Sequence, residues 1–519
     1  MRPQGALVLR GDLLGERARL TPLKTALVYV PTGERFTYAQ LDQRAASCAR
    51  AWLDVVGLKK GDRIGILAHN RVEFLDAFFA AGKSGVVLVP LGTRLTAREL
   101  EPIARDSGMT ALAYDGAFRD AVRELKQATA IRCWIALDEP ADESDVRHAH
   151  LVEQGRGSSA TLPRCGVEDI YCLLYTSGTT GSPKGVMIPH RMVTWNGFNT
   201  AMCWQLRADD VSPIFTPLYH AGGLGAFLVP IFAIGGTIVL HRGFDSSEIW
   251  REIQAERCTV VLGVPTIWKL LMESPEFETV DLSHVRWFIS GGAPLPLYIM
   301  DAYQRRGVVF KQGYGLTEVG VNCFSMTTEE STRKIGSIGK PLMFTEARLA
   351  GADGDEVPVG EVGELLLRGP HVCSGYWNNP AATAEAIDPD GWFHTGDLAK
   401  RDADGFFWIA GRKKDMIISG GVNVYPAEVE NELLLHPAVM DAAVVGVPDE
   451  RWGEVGVAFV VASTEDRPSA DSLRTFLGER LARFKIPVEF VFLDSLPRTP
   501  YGKVLKGELR ERHLQTGRG

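Results

Sequence analysis

Between residues 37 and 91 the apolar pattern changes period repeatedly, and that rhythm limits the fold more than any other feature of the chain. "TYAQLDQRAASCARAWLDVV" has helical spacing and "RIGIL" is a short apolar run; "RVEFLDAFFAAGKSG" is helical again, and "VVLVPL" closes the stretch as a second run. Such alternation predicts parallel strands, because a crossover helix is needed to carry the chain back to the start of a neighbouring parallel strand. The helices then cover the sheet. The same rhythm returns over 247–263 and 266–291, where it ends in "RWFISGGAPLP". The fold class that follows is α/β, with a large N-terminal domain of doubly wound sheets.

From about residue 336 the grammar changes to short runs broken by Asp-Gly, in "EARLAGADGDEVP" and "LAKRDADGFFWIAG". Asp-Gly between strand-like runs is a hairpin signal, so a small β-rich subdomain is expected over about 336–411. After "GRKKD" a new α+β unit begins. The expected organisation is an N-terminal domain over 1–411, a hinge at 412–415 and a C-terminal domain over 416–519.

Composition narrows the function classes. With 45% hydrophobic and 23% charged residues in 519, the chain reads as a soluble globular protein of several compact units. A net charge of −8 without a long basic block argues against nucleic acid as the main partner and points to small molecules. The eight cysteines form no CxxC and no Cys/His cluster, so neither a disulfide framework nor a zinc site is indicated, and a cytoplasmic location is expected. The N-terminal stretch carries too short an apolar run for a signal-peptide core. Residues 221–240 hold twenty residues without a charge, long enough to span a bilayer. Gly235-Gly236 followed by "TIVL" favours a buried helix, turn and strand instead. Peripheral membrane contact stays open, as does the choice between monomer and homodimer.

The stretch "YTSGTTGSPKG" (175–185) follows the apolar run "IYCLLY". Gly178, Gly181 and Gly185 let the backbone bend and bring its N–H groups near a ligand, Thr176, Ser177, Thr179 and Thr180 offer donors, and Lys184 adds a mobile charge. A ligand with many anionic oxygens, such as a polyphosphate, suits that set. It is not a Walker A loop, because Gly185 stands where that motif needs Ser or Thr after the lysine. Taken alone, a flexible polar surface loop explains it as well.

Four more stretches decide the matter: "SGGAP" (290–294), "QGYGLTE" (312–318), "GWFHTGDLAKRDADGFFWIAGRKKDMI" (391–417) and "PRTPYGKVLK" (497–506). In this order and spacing they closely resemble the adenylate-forming superfamily of acyl-CoA synthetases, peptide-synthetase adenylation domains and luciferases. The resemblance runs from about residue 15 to 512. It implies a carboxylate attacking the α-phosphate of ATP to give an acyl-adenylate, followed by thiol capture. It also implies a C-terminal domain that rotates between the two half-reactions about Lys414.

By the same resemblance the loop from Thr176 to Lys184 wraps the β- and γ-phosphates. Gly291, Gly292 and Ala293 form a slot for adenine beside Gln312, Gly313, Tyr314 and Gly315, with Tyr314 stacking on the base. Glu318 and Thr176 match the Mg²⁺-linked positions, and Thr317 reaches the α-phosphate. Asp397 takes the ribose hydroxyls, Arg412 contacts the ribose, and Lys503 joins the carboxylate and α-phosphate oxygens during adenylation. His220 resembles the gate beside the acyl site.

The acceptor implied is coenzyme A, since no carrier domain follows Lys506 in this sequence and "SGGVNVYPAEVE" resembles the CoA-ligase form of that segment, with Gly420 and Gly421 leaving room for the pantetheine arm. Ile486 and Val488 stand where some relatives carry basic residues against the coenzyme's phosphates. "KPLMFTEARL", "VPDERWGEVGVAFVV" and "LARFKIP" resemble bacterial fatty acyl-CoA synthetases. The acyl wall expected is Gly222, Gly223, Val264, Gly320 and Val321, with Asn322 as the polar group able to meet a ring hydroxyl. A medium- to long-chain fatty acid is therefore the expected substrate; an aryl or hydroxycinnamic acid is the alternative, and a non-catalytic ATP- or acyl-binding protein the remote one.

Overall fold

The computed structural model describes residues 12–177, 183–463, 467–498 and 504–516. The alternation over 37–91 becomes helix Tyr38–Asp54, strand Arg63–Leu67, helix Val72–Ser84 and strand Val87–Pro90. The two strands run parallel, with Ile64 opposite Leu88. Thr37 and Gln40 start the first helix with reciprocal side-chain to backbone hydrogen bonds. Gly85 ends the second in the left-handed region, at φ +68°. Every residue of Val72–Ser84 except Glu73 is buried, as befits a helix enclosed between layers. Its buried charges are paired: Asp76 with Arg44 at 2.6 Å and Lys83 with Asp12 at 2.7 Å.

Seven strands form the largest sheet, in the order Val146–Arg147, Cys133–Ala136, Ala111–Tyr114, Arg63–Leu67, Val87–Pro90, Ile170–Ser177 and Pro183–Pro189. All pairs are parallel except the last, where Pro183–Pro189 folds back antiparallel on Ile170–Ser177. A second sheet holds Val211–Ile214, Thr237–Leu240, Thr25–Tyr29 and Glu34–Thr37. A third, of Val260–Gly263, Trp287–Ser290 and Phe310–Gln312, is wholly parallel. The second and third adjoin where Thr259 N–H donates to Val211 O at 2.8 Å.

The uncharged stretch 221–240 is a wide helical turn, Gly222–Leu228, a helix, Val229–Ile234, a left-handed Gly235 at φ +82° and the strand Thr237–Leu240. That strand lies inside its sheet, between Val211–Ile214 and Thr25–Tyr29. Among the described residues no helix is long and apolar enough to cross a membrane.

The β-rich region is a four-stranded antiparallel sheet of Glu346–Ala350, Val362–Arg368, Phe393–Arg401 and Phe407–Arg412. Of the two expected hairpins, Asp404-Gly405 does join adjacent strands, with Gly405 at φ +84°. Asp353-Gly354 closes only a single bridge, Ala350 to Glu356, and Glu346–Ala350 pairs instead with Val362–Arg368. Pro358, which has no N–H to give a ladder, follows Val357 directly and ends that short return.

A short turn, Lys413–Asp415, leads into the last sheet. Its strands are Val422–Val424, Ile417–Ser419, Gly453–Ala462 and Val439–Asp449, with Glu489–Phe492 parallel to Gly453–Ala462. Leu433, Leu473 and Leu477, from helices Pro426–Leu433 and Ala470–Gly478, are fully buried on one face. Leu509, of helix Lys506–Thr516, is fully buried on the other.

Candidate active site

Strands Val260–Gly263, Trp287–Ser290 and Phe310–Gln312 end together, and their carboxyl ends open into the kind of crevice where α/β sheets bind ligands. Gly291 N–H donates to Gly263 O at 3.1 Å and Gly313 N–H to Ser290 O at 2.7 Å, so both loops leave the sheet in a fixed direction. A Cβ at Gly291 would meet nothing within 4 Å, which leaves a flat, open face. Gln312 props this loop from below: Oε1 accepts from Leu295 N–H at 3.3 Å and Nε2 donates to Ala293 O at 3.1 Å. Gly315 is required by close approach, because a Cβ there would lie 2.3 Å from the Val321 carbonyl carbon.

Tyr314 Oη donates to Asp397 Oδ2 at 2.6 Å, and Arg412 Nε lies 3.3 Å from Asp397 Oδ1. Asp397 and Arg412 face each other across the Phe393–Arg401 and Phe407–Arg412 pair. Burial holds the Tyr314 phenol well above its ordinary value, so it stays a neutral donor. Asp397 is only 5% exposed, with one carboxylate oxygen on the Tyr314 hydroxyl and the other facing Arg412. The Tyr314 ring is held edge-on by Phe324, with centroids 5.7 Å apart.

Thr176 lies opposite Lys184 in the hairpin of Ile170–Ser177 and Pro183–Pro189. Gly178, Thr179, Thr180 and Gly181 lie outside the described residues, as does Lys503. Lys184 Nζ sits 5.2 Å from the centroid of Tyr376, whose hydroxyl donates to Glu318 Oε1 at 3.1 Å. Burial raises the Glu318 carboxyl above its ordinary value, against the pull of its own turn's N–H, the Tyr376 hydroxyl and the charges of Arg412 and Lys184. The Glu318 carboxylate and the Thr176 hydroxyl are hard oxygen donors of the kind that would suit Mg²⁺. Tyr376 went unread in the sequence. It carries no charge, and only its place in "SGYW", far from every other site residue, marked it.

A cavity of about 50 Å³ is walled by Phe78, Met192, Asn196, Leu224, Thr317 and Val321 among others. Of the expected wall residues, Gly320 and Val321 line it. Gly222, Gly223, Val264 and Asn322 do not. Gly223 is packed on the backbone, where a Cβ would meet Pro217 O at 2.2 Å, and Val264 lies beside Gly292. Asn322 Nδ2 is committed to Thr200 Oγ1 at 3.1 Å and Ala226 O at 2.9 Å. Gly222 N–H donates to His220 Nδ1 at 3.2 Å, which leaves the proton of the neutral ring on Nε2. Among the wall residues missed, the polar one is Asn196, 5% exposed: Nδ2 donates to Gly225 O at 2.7 Å, and Oδ1 has no partner.

In the C-terminal unit Gly420 and Gly421, at φ +58° and +80°, form the two-residue turn between Ile417–Ser419 and Val422–Val424. Two left-handed residues in succession make the hairpin turn that glycine favours, so the fold itself explains both. Lys414 lies exposed in the Lys413–Asp415 turn between the last two sheets.

Residues 14–377 match the family model of the AMP-binding enzymes, and 428–503 that of the AMP-binding enzyme C-terminal domain. The chain belongs to the AMP-binding enzyme family. It is 42% identical to a feruloyl-CoA synthase of Amycolatopsis sp, over 99% of this chain and 100% of that one. It is 37% identical to a long-chain-fatty-acid–CoA ligase of Mycobacterium tuberculosis, over 98% of this chain and 99% of that one. The solved o-succinylbenzoate CoA synthetase of Bacillus subtilis, in complex with its acyl-adenylate intermediate, is 33% identical with a TM-score of 0.82, covering 96% of this chain and 98% of that one. The protein is an AMP-forming carboxylate–CoA ligase that uses ATP and coenzyme A.

Proposed function

We propose that this ligase activates a compact aromatic acid with a hydrogen-bond donor at its far end, of the hydroxycinnamate kind. The observation that carries the reading is the acyl cavity. Its wall is apolar except for Asn196 and Thr317. An unpartnered Asn196 Oδ1 is a standing cost of about 1–3 kcal/mol unless a donor arrives, and a ring hydroxyl is such a donor. The feruloyl-CoA synthase relative supports the same class.

A medium- to long-chain fatty acid is the second reading, favoured by the apolar lining and by the mycobacterial relative. A panel of hydroxycinnamates, benzoates and fatty acids, read by AMP release with CoA present, tests both. Preference for a hydroxycinnamate is expected. If hexanoate to palmitate outpace every aryl acid, the second reading replaces the first.

In the reaction proposed, Asp397 and Arg412 hold the ribose, Gly291 to Ala293 and Tyr314 hold adenine, and Lys184 holds the outer phosphates. Glu318 and Thr176 would hold Mg²⁺, which supplies charge neutralisation on the phosphates when bound. Lys503 bridges acid and α-phosphate, and His220 borders the acyl entrance. The C-terminal domain swings about Lys414 to bring the Gly420-Gly421 turn to the adenylate for CoA.

A further inference from the structure

Tyr376 joins two parts of the site that are built on different elements. Its segment is laid along the Pro183–Pro189 strand: Met187 N–H donates to Gly375 O at 2.9 Å, Trp377 N–H to Gly185 O at 2.8 Å and Ser374 N–H to Met187 O at 3.0 Å. The same segment holds the turn that carries Glu318, through Cys373 N–H to Glu318 O at 2.8 Å. Tyr376 N–H is in turn fixed by Thr383 Oγ1 at 2.9 Å. Gly375, at φ +104°, packs so closely on Thr383 that a Cβ would lie 2.3 Å from its methyl carbon. The ring therefore has little freedom. One face receives the Lys184 ammonium at 5.2 Å, and the hydroxyl points its proton at Glu318 Oε1, 3.1 Å away.

We propose that Tyr376 is a positioning residue that sets Lys184 and Glu318 at a fixed separation, so that one ATP molecule meets its phosphate cation and its metal carboxylate together. The inference rests on assigning Lys184 to the phosphates and Glu318 to the metal. A phenol does both tasks with different parts. Its π face attracts the ammonium, and its hydroxyl makes a charge-assisted bond to the carboxylate. A phenylalanine would do only the first. An aliphatic residue would do neither.

The two parts are separated by calorimetric titration of ATP into the folded protein, first with EDTA and then across a Mg²⁺ series, for the wild type, Tyr376→Phe, Tyr376→Leu and Lys184→Ala. Tyr376→Phe should keep metal-free ATP affinity within about twofold and raise the Mg²⁺ concentration that half-enhances ATP binding about tenfold or more. Tyr376→Leu should show the same Mg²⁺ effect and also weaken metal-free ATP binding, by roughly 2- to 30-fold. Tyr376→Met replaces it if the leucine variant does not fold. Wild-type Mg²⁺ dependence in Tyr376→Phe, or equal metal-free affinity in the phenylalanine and aliphatic variants, overturns the proposal. Undiminished ATP binding in Lys184→Ala identifies the phosphate assignment as the part that failed, and overturns both.

Discussion

Asp397 and Arg412, assigned above to the sugar, stand opposite each other across one strand pair, whereas Phe78, Asn196 and Val321, which line the cavity assigned to the acid, come from three separate segments of the chain. The proposed nucleotide side is made of strand-end loops and one strand pair, each of which carries its chemistry within a short stretch of chain. The acyl side is made of single side chains projected from helices and loops that meet only after packing. The first kind of site tolerates little change in any one loop. The second can be retuned one residue at a time without disturbing ATP.

The sharpest way to break that separation is Lys503, proposed to act on both sides. Lys503→Ala should lower adenylate formation by about 10²–10³ or more, since it removes a donor to the transferring group, and should spare CoA attack on supplied acyl-adenylate. Equal losses in the two half-reactions would refute its assignment.

Next in size is the hinge. Proline at Lys414 fixes φ near −65° and drives Lys413 out of the helical region it occupies in the Lys413–Asp415 turn. Whichever pose then persists, the exchange of poses is blocked. Lys414→Pro should lose at least about 10² more in one half-reaction than in the other, measured by single-turnover kinetics. Proportionate loss in both would count against a pivot there.

A smaller effect tests the independence of the acyl side. Val321→Phe adds bulk to the cavity wall, and overpacking of about 1–3 kcal/mol should cut kcat/KM for the acid some 5- to 150-fold. Calorimetric ATP affinity should move by less than about twofold. A matching loss of ATP binding would show that the two sides are one rigid unit.

The smallest effect concerns the junction between them, and it acts on stability. His190 begins the helix that carries Asn196, lies tilted against the Tyr171 ring with centroids 4.8 Å apart, is 1% exposed and has no hydrogen-bond partner on either ring nitrogen. Burial lowers its pKa to about 4 from the ordinary value of 6.5. The unfolded chain therefore binds more protons between those values. The stability tied to a neutral His190 is complete above about pH 6.5 and is lost as pH falls towards 4, by up to about 3 kcal/mol. Melting temperature against pH should flatten over that window in His190→Phe. An unaltered slope would mean that other groups carry the acid sensitivity.

Much of this site could be read before folding. "SGGAP" and "QGYGLTE", where the chain leaves strand ends, and "HTGD", within one strand, each carry their pattern in a contiguous stretch, which is legible without distant partners. The parallel strands of residues 37–91 were equally legible, since hydrophobic period is a local property. Which strand lies beside which was not. Thr25–Tyr29 pairs with Thr237–Leu240, from the far end of the stretch that could have passed for a membrane span.

The acyl wall shows the limit most clearly. Asn322 has the chemistry to meet a ring hydroxyl, and its identity gave no sign that Thr200 and Ala226 would already occupy its amide. Asn196 looked like an ordinary helix residue until packing placed it against Gly225 and Gly320 with one oxygen unpaired. Tyr376 likewise became part of the phosphate site only when its segment was laid against the lysine strand. The sequence alone determined the family and the reaction class, because the motifs that carry them are specified by residue type and local spacing. Tertiary structure decided which polar atoms remain free to meet the acid and which ring joins Lys184 to Glu318, because hydrogen-bond satisfaction depends on partners brought in from elsewhere in the chain.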